Sequence, residues 1–414
     1  MTDTHMPKDK GLDHTLKLLD EAYRFITNRS EKFESRVFET TLLGEKTICM
    51  VGKKEAEVFY DNTKFSRKGA SPGRIQKTLF GEGGVQGLDG KEHHHRKEMF
   101  MSLMTKEGLK QISAILQQEW EREMERQSKE EIQVYQAAKY VLTRSALRWT
   151  GVPYQESEIP EWTDQLSDMF EDAGSVGLSH WQARRSRSKA EKEVVDLVEN
   201  VRAGETKVSE DSPVYHFAMH RDLNGELLDA QIVAVELLNL LRPIVAIAVY
   251  IDFLILAVHD YPEKVSQLEN EDDLQHFIQE VRRFYPFFPV APARVKEDFS
   301  WNGYTFEKGT LTLLDLYGTN HDPEIWDNPD TFQPERFQTW EGSPFDFIPQ
   351  GGGEFNIGHR CAGEWITIDI LKVTLDFFVH RLSFDFPEQD LDYKMNDIPP
   401  VPESGVVIKN VHLK

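Results

Sequence analysis

The chain has 414 residues, with 48 Lys and Arg against 70 Asp and Glu, a net charge of −22. So acidic a balance argues against nucleic acid and anionic membrane surfaces as partners. Two cysteines, Cys49 and Cys361, exclude a disulfide framework and point to a reducing, cytoplasmic setting.

The opening, MTDTHMPKDKGLDHT, is polar and has no apolar h-region, so no secretion signal is expected. Residues 46–60 alternate like a strand or hairpin that ends toward a helical turn. Helices are expected over 91–103, 108–126, 130–150, 161–172 and 190–203, each from its apolar spacing. Residues 228–259 predict one long central helix, and 272–284 another that stops near Pro286.

The central stretch contains LLNLLRPIVAIAV, residues 237–249, which sets Arg242 beside Pro243. A helix interior disfavours proline by about 3 kcal/mol. A lone buried charge costs several kcal/mol more unless a partner arrives. The apolar part, 244–258, is shorter than the ~20 residues a bilayer span needs, and Arg242, Pro243 and Asp252 interrupt the wider run. A buried core helix with no stable membrane anchor is therefore expected.

After Pro286 the texture changes. PFFPVAPARV is proline-rich and extended. FSWNGYTFEKGTLTLLDLYG alternates around an Asn-Gly turn signal. A proline-punctuated meander leads to PQGGGEFNIGHRCAGE, a glycine-rich loop that feeds a last helix over 364–381. The fold class is mainly α with small β-sheets. With no internal repeat and no linker composition, a single domain over 1–414 is expected.

Cys361 stands just before that last helix, among Gly351, Gly352, Gly353, Gly358 and Gly363. A helix N-terminus favours a thiolate. Taken alone, Cys361 reads equally as a structural cysteine in a turn. Three stretches occur in order, however: Glu280 and Arg283 as E-x-x-R, PERF at Pro334–Phe337, then the cysteine loop. Together they resemble the cytochrome P450 superfamily over nearly the whole chain. The resemblance implies a haem held between the long central helix and the cysteine loop. It also implies that the haem is heme b, with Cys361 as the axial metal ligand. Glu280, Arg283 and Arg336 match the family's scaffold ion pairs.

The loop departs from the common pattern, with Ile357 and His359 where the family usually has a glycine and a basic residue. PQGGG and GHRCAGEW resemble instead the branch of fatty-acid peroxygenases, bacterial hydroxylases and decarboxylases that use hydrogen peroxide. The acid–alcohol pair that ordinary members carry in the central helix is missing, and Arg242 and Pro243 occupy the matching stretch. An arginine there can bind a carboxylate through two parallel hydrogen bonds. The carboxylate then supplies both the counter-charge and the acid–base group. The expected substrates are a medium- or long-chain fatty acid and H2O2. The expected reaction is hydroxylation at the α or β carbon, with loss of CO2 to a terminal alkene as a side path and no obligatory redox partner. Pro243 would loosen the helix beside the haem.

By the same resemblance, Phe80, Phe170, Ala173, Phe288 and Val290 are channel candidates. Gln86 stands where strong decarboxylases of the branch carry histidine, which favours hydroxylation. His93, Lys97, Arg67 and Arg294 are candidates for the haem propionates. Three consecutive histidines, His93 to His95, point in different directions on a helix and are not expected to converge on a metal. The competing readings are a monooxygenase fed by a redox partner, against which Arg242 and Pro243 speak, and a haem-thiolate sensor, for which no effector domain is visible.

Overall fold

The central apolar run forms helix Ala230–Ala246 and, after a break at Ile247, helix Ala248–Asp260. Asp229 starts it by accepting from the backbone N–H groups of Gln231 (2.9 Å) and Ile232 (3.3 Å), donors that the first turn leaves orphaned. Pro243 lies inside the first helix and lacks the N–H that would reach the Asn239 carbonyl. One turn later Ile247 donates to Ile244 (3.2 Å), a tighter turn than the α-helix makes. Among the described residues, 230–260 is the one helical stretch long and apolar enough to cross a membrane. Its most apolar window is 89% buried inside the protein, as a core helix should be.

The computed structural model describes residues 5–127, 131–172 and 178–414. Helices Val134–Thr150, Ile159–Glu171 and Leu178–Ala203 pack against the first half of the central helix. Helices Glu271–Phe284 and Glu364–Asp376 pack against the second half. Asn270 caps helix Glu271–Phe284 by accepting from the N–H groups of Asp272 (2.9 Å) and Asp273 (3.1 Å). That helix carries acidic residues in its first turn and Arg282 and Arg283 in its last, which suits the helix dipole.

Most elements fall within a few residues of expectation. The segment 46–60 resolves into strand Glu45–Met50 and helix Lys53–Phe59. The segments 91–103 and 108–126 become helices Gly90–Met101 and Lys106–Gln127. The segment 130–150 opens with a short strand, Ile132–Gln133, before its helix. One helix is much longer than its pattern predicts: 190–203 is the end of Leu178–Ala203. Its buried stripe is Ala183, Arg187, Ala190, Val194 and Val198. The buried arginine in that stripe conceals the helical period.

A five-stranded sheet runs in the order Val37–Leu42, Glu45–Met50, Leu311–Asp315, Val290–Val295, Phe65–Ser66. Thr47 pairs with Leu311 in parallel, and Val290 with Asp315 antiparallel. Asn302 and Gly303 both have positive φ (51° and 82°) and turn strand Phe299–Trp301 back onto Tyr304–Phe306, as the Asn-Gly signal predicts. Strand Val290–Val295 begins with Val290 on the wall of a cavity that the central helix also lines, whereas Arg294 does not line it.

Candidate active site

One cavity lies between the central helix and the cysteine loop. Arg242, Pro243 and Asn239 face it from the helix, and Cys361 faces it from the loop. Phe80, Gln86, Phe288 and Val290 line it as well, together with Arg67, His93 and Lys97.

The loop is shaped by close approach. Gly351 and Gly353 have φ of 86° and 84°, a region that disfavours residues with a Cβ. A Cβ on Gly352 would strike the Pro344 carbonyl and the Ile348 side chain. Cys361 donates its N–H to the Gln350 carbonyl (3.3 Å), and the Gln350 Nε2 lies 4.0 Å from Sγ. Behind the loop, Glu364 accepts from Arg282 Nη2 (2.6 Å) and Arg360 Nε (2.5 Å). Burial pushes the Cys361 thiol up, with Glu364 adding to it. The Gly363 N–H, Lys97 and Arg282 push it back down.

Arg242 is buried, and its Nε has no hydrogen-bond partner among the described residues. Burial, then Arg187, lower its guanidinium to about 9, while Cys361 raises it. It is therefore charged at neutral pH, and no carboxylate among the described residues answers it. Glu236, on the same helix, is taken up by Arg96 (2.8 Å) and Asn239 Nδ2 (3.2 Å).

Other cations share the cavity wall. Arg67 is buried, its guanidinium donates to the Phe59 carbonyl at 3.5 Å, and burial lowers it to about 10. Lys97 donates to the carbonyls of Gly358 and Arg360 (2.9 Å), which leaves one ammonium proton free. Burial lowers it to about 8. His93 packs against His359 with ring centroids 4.0 Å apart and the rings tilted by 34°. Burial first, then His359 and Lys97, hold His93 down at about 3. An anionic, flat group with its acids toward Arg67, His93 and Lys97 fits this wall, and the thiol of the cysteine loop, a loop that His93 and Lys97 themselves touch, fits a metal at its centre.

Two expected residues are elsewhere, and one falls outside the described residues. Arg294 does not line the cavity. Its guanidinium is drawn to Glu45 (2.9 Å) and to the carbonyls of Gly69 (2.7 Å) and Gly309 (3.0 Å). Phe170 packs in the helical core instead of the cavity. Ala173 falls among the residues the structure does not describe. The three histidines diverge: His93 meets His359, while His95 contacts the Arg221 carbonyl (2.8 Å) and stacks near His220.

Sequence reasoning missed Arg187. Although almost wholly buried, it donates to the carbonyls of Leu79 (2.9 Å) and Phe80 (3.3 Å) and pairs with Glu191 (2.6 Å). It thereby ties the segment that carries Phe80 to helix Leu178–Ala203. Its only trace in the sequence is a charge at a helical core position.

Fold and site together define the class: a mainly helical protein with a cavity between its central helix and a cysteine loop that precedes the last long helix, an architecture that implies a haem with a thiolate ligand. A family model described as cytochrome P450 matches residues 264–410. The structure titled cytochrome P450EX alpha (CYP152N1), with myristic acid, is 49% identical, with a TM-score of 0.96 over 99% of both chains. A variant of cytochrome P450 OleT in complex with arachidonic acid is 37% identical, with a TM-score of 0.95 over 99% of both chains. Among curated proteins, cytochrome P450 71D18 of Mentha gracilis is 30% identical over 155 residues, 36% of this chain. That match spans 30% of the relative's own length. The chain belongs to the cytochrome P450 family and stands in its CYP152 branch.

Proposed function

We propose that this protein is a fatty-acid peroxygenase that uses H2O2 to hydroxylate medium- or long-chain fatty acids at the α or β carbon, with decarboxylation to a terminal alkene as a minor path. The carrying observation is Arg242: a buried, unpaired cation in the cavity that also holds the Cys361 thiol. The fatty acids named with the solved CYP152 structures support the substrate class.

Heme b would be held by Cys361, with Arg67, His93 and Lys97 to receive its acidic groups, and would supply peroxide activation and oxygen transfer. Arg242 binds the substrate carboxylate with two charge-assisted hydrogen bonds. So held, a carboxylate oxygen is placed to carry a proton between the two oxygens of peroxide, since Arg242 and Pro243 occupy the place of an acid–alcohol pair. Gln86 lies on the same wall and contacts the head-group region. Pro243 removes a helix hydrogen bond beside the cavity. Phe80, Phe288 and Val290 direct the apolar tail away, so the second and third carbons stay nearest the reacting oxygen.

The same reading makes the enzyme a single-domain, cytoplasmic protein that needs no obligatory redox partner. The test supplies the haem-loaded protein with a series of saturated fatty acids. One arm receives H2O2 alone and the other NADPH with a surrogate reductase, with products identified by mass spectrometry. Hydroxylated acids in the peroxide arm are expected. Turnover only in the reductase arm makes the protein a conventional monooxygenase.

A further inference from the structure

Gln86 is joined to the central helix by a chain of hydrogen bonds that begins at a buried ion pair. Arg96 Nη1 donates to Glu236 Oε1 (2.8 Å), and Glu236 is wholly buried. Burial raises the Glu236 carboxyl, while Arg96, Asn239 and the backbone N–H of Val85, the neighbour of Gln86, pull it back down. Asn239 Nδ2 donates both to Glu236 Oε2 (3.2 Å) and to Gln86 Oε1 (3.2 Å).

The direction of these bonds follows from Glu236. An ionised carboxylate only accepts, so Asn239 must turn its amino group toward it. Both Nδ2 protons are then used, and Asn239 Oδ1 is left buried without a partner. Gln86 must meet Asn239 with its carbonyl oxygen. Its Nε2 has no partner among the described residues, and the side chain lines the cavity. The Gln86 amide therefore offers a donor, not an acceptor, to whatever occupies the head-group end. It thereby adds a neutral donor to a wall that also carries the cations Arg67, Lys97 and Arg242.

We propose that Glu236, held by Arg96, is a positioning residue. Through Asn239 it fixes the Gln86 amide with its amino group toward the substrate, so that Gln86 adds a hydrogen bond to the carboxylate bound by Arg242. The inference rests on the fatty-acid reading of the cavity and deepens it. Glu236→Gln gives residue 236 donors of its own. Asn239 can then turn over, and Gln86 can present its oxygen, which repels a carboxylate.

The test is a double-mutant cycle on the haem-loaded protein: wild type, Glu236→Gln, Gln86→Ala and the pair. Two quantities are measured, the fatty-acid Kd from the absorbance change on binding and the α-to-β product ratio with H2O2. Glu236→Gln is expected to weaken binding about fivefold, the size of one ordinary hydrogen bond, and to shift the product ratio. In the Gln86→Ala background the same change is expected to do neither. Asn239→Ala cuts the link while keeping the Arg96–Glu236 ion pair, and carries the same cycle should Glu236→Gln fold poorly. Equal effects of Glu236→Gln in both backgrounds, or none in either, overturn the inference while leaving the site reading intact. A wild-type protein that binds no fatty acid overturns both.

Discussion

Arg242 and Cys361 face one cavity, the first from the central helix and the second from the glycine-rich loop. The sulfur raises the Arg242 guanidinium against the burial that lowers it. A buried cation in that cavity suits an anionic substrate, and no acid among the described residues pairs with it.

Arg242→Ala is expected to lose most fatty-acid turnover with peroxide while retaining haem and the thiolate-type absorbance of its CO complex. Losing a charged hydrogen-bond pair costs about 1.5–3 kcal/mol, or roughly 10- to 150-fold in affinity. A short carboxylic acid should restore oxidation of small neutral compounds, because it replaces the missing acid–base group. Wild-type regioselectivity in Arg242→Ala would count against the mechanism.

The cysteine loop offers a separate test. Gly352→Ala places a methyl group against the Pro344 carbonyl and Ile348. The obstructing carbonyl is backbone and cannot swing away. Haem content per protein should fall sharply, while far-ultraviolet circular dichroism keeps its helical signal. Full haem occupancy would show that the loop yields.

Glu280 accepts from both Nε and Nη2 of Arg283 (2.8 Å each), from Arg336 Nε (3.1 Å) and from the Gln333 N–H (2.8 Å). Both Glu280 and Arg283 are fully buried. Glu280→Gln leaves two guanidinium groups without their charge partner and should destabilise the protein by about 3–5 kcal/mol. Urea unfolding of the haem-loaded protein measures it. A change below about 1 kcal/mol, the range of a surface pair, would contradict a buried role.

Asp252 supplies a pH test. Its Oδ1 accepts from the Val406 N–H (3.0 Å), its Oδ2 has no partner, and burial raises the carboxyl to about 7. The folded state thus keeps a proton that the unfolded chain releases near pH 4. Stability from this group is full below about pH 4 and is lost as pH rises through about 7. Asp252→Asn should therefore gain Tm relative to wild type at pH 8 and show no advantage at pH 4. The difference between the two profiles separates Asp252 from Asp315 and Glu55, which burial also raises to about 7. Parallel profiles would refute the assignment.

Much of the site is visible in the residues themselves. Arg242 declares itself because a charge beside a proline in an apolar run is costly without a purpose. Cys361 declares itself through the glycines that crowd it and the helix that follows. The helix ends are legible where Asp229 and Asn270 cap them, since a cap acts within one turn.

The sequence by itself determined the elements, the cysteine loop, the buried central helix and the arginine within it, because each is written in spacing over a few turns or in an ordered set of motifs. Only the tertiary structure decided the partners. It gave Arg294 to Glu45 and Phe170 to the core, buried Arg187 behind Phe80, and led Arg96 through Glu236 and Asn239 to Gln86. Arg96 and Glu236 are 140 residues apart, and Gln86 and Asn239 are 153 apart. Helical and strand periods say which face of an element is buried. What a buried charge meets there depends on how distant elements pack, which local spacing does not encode.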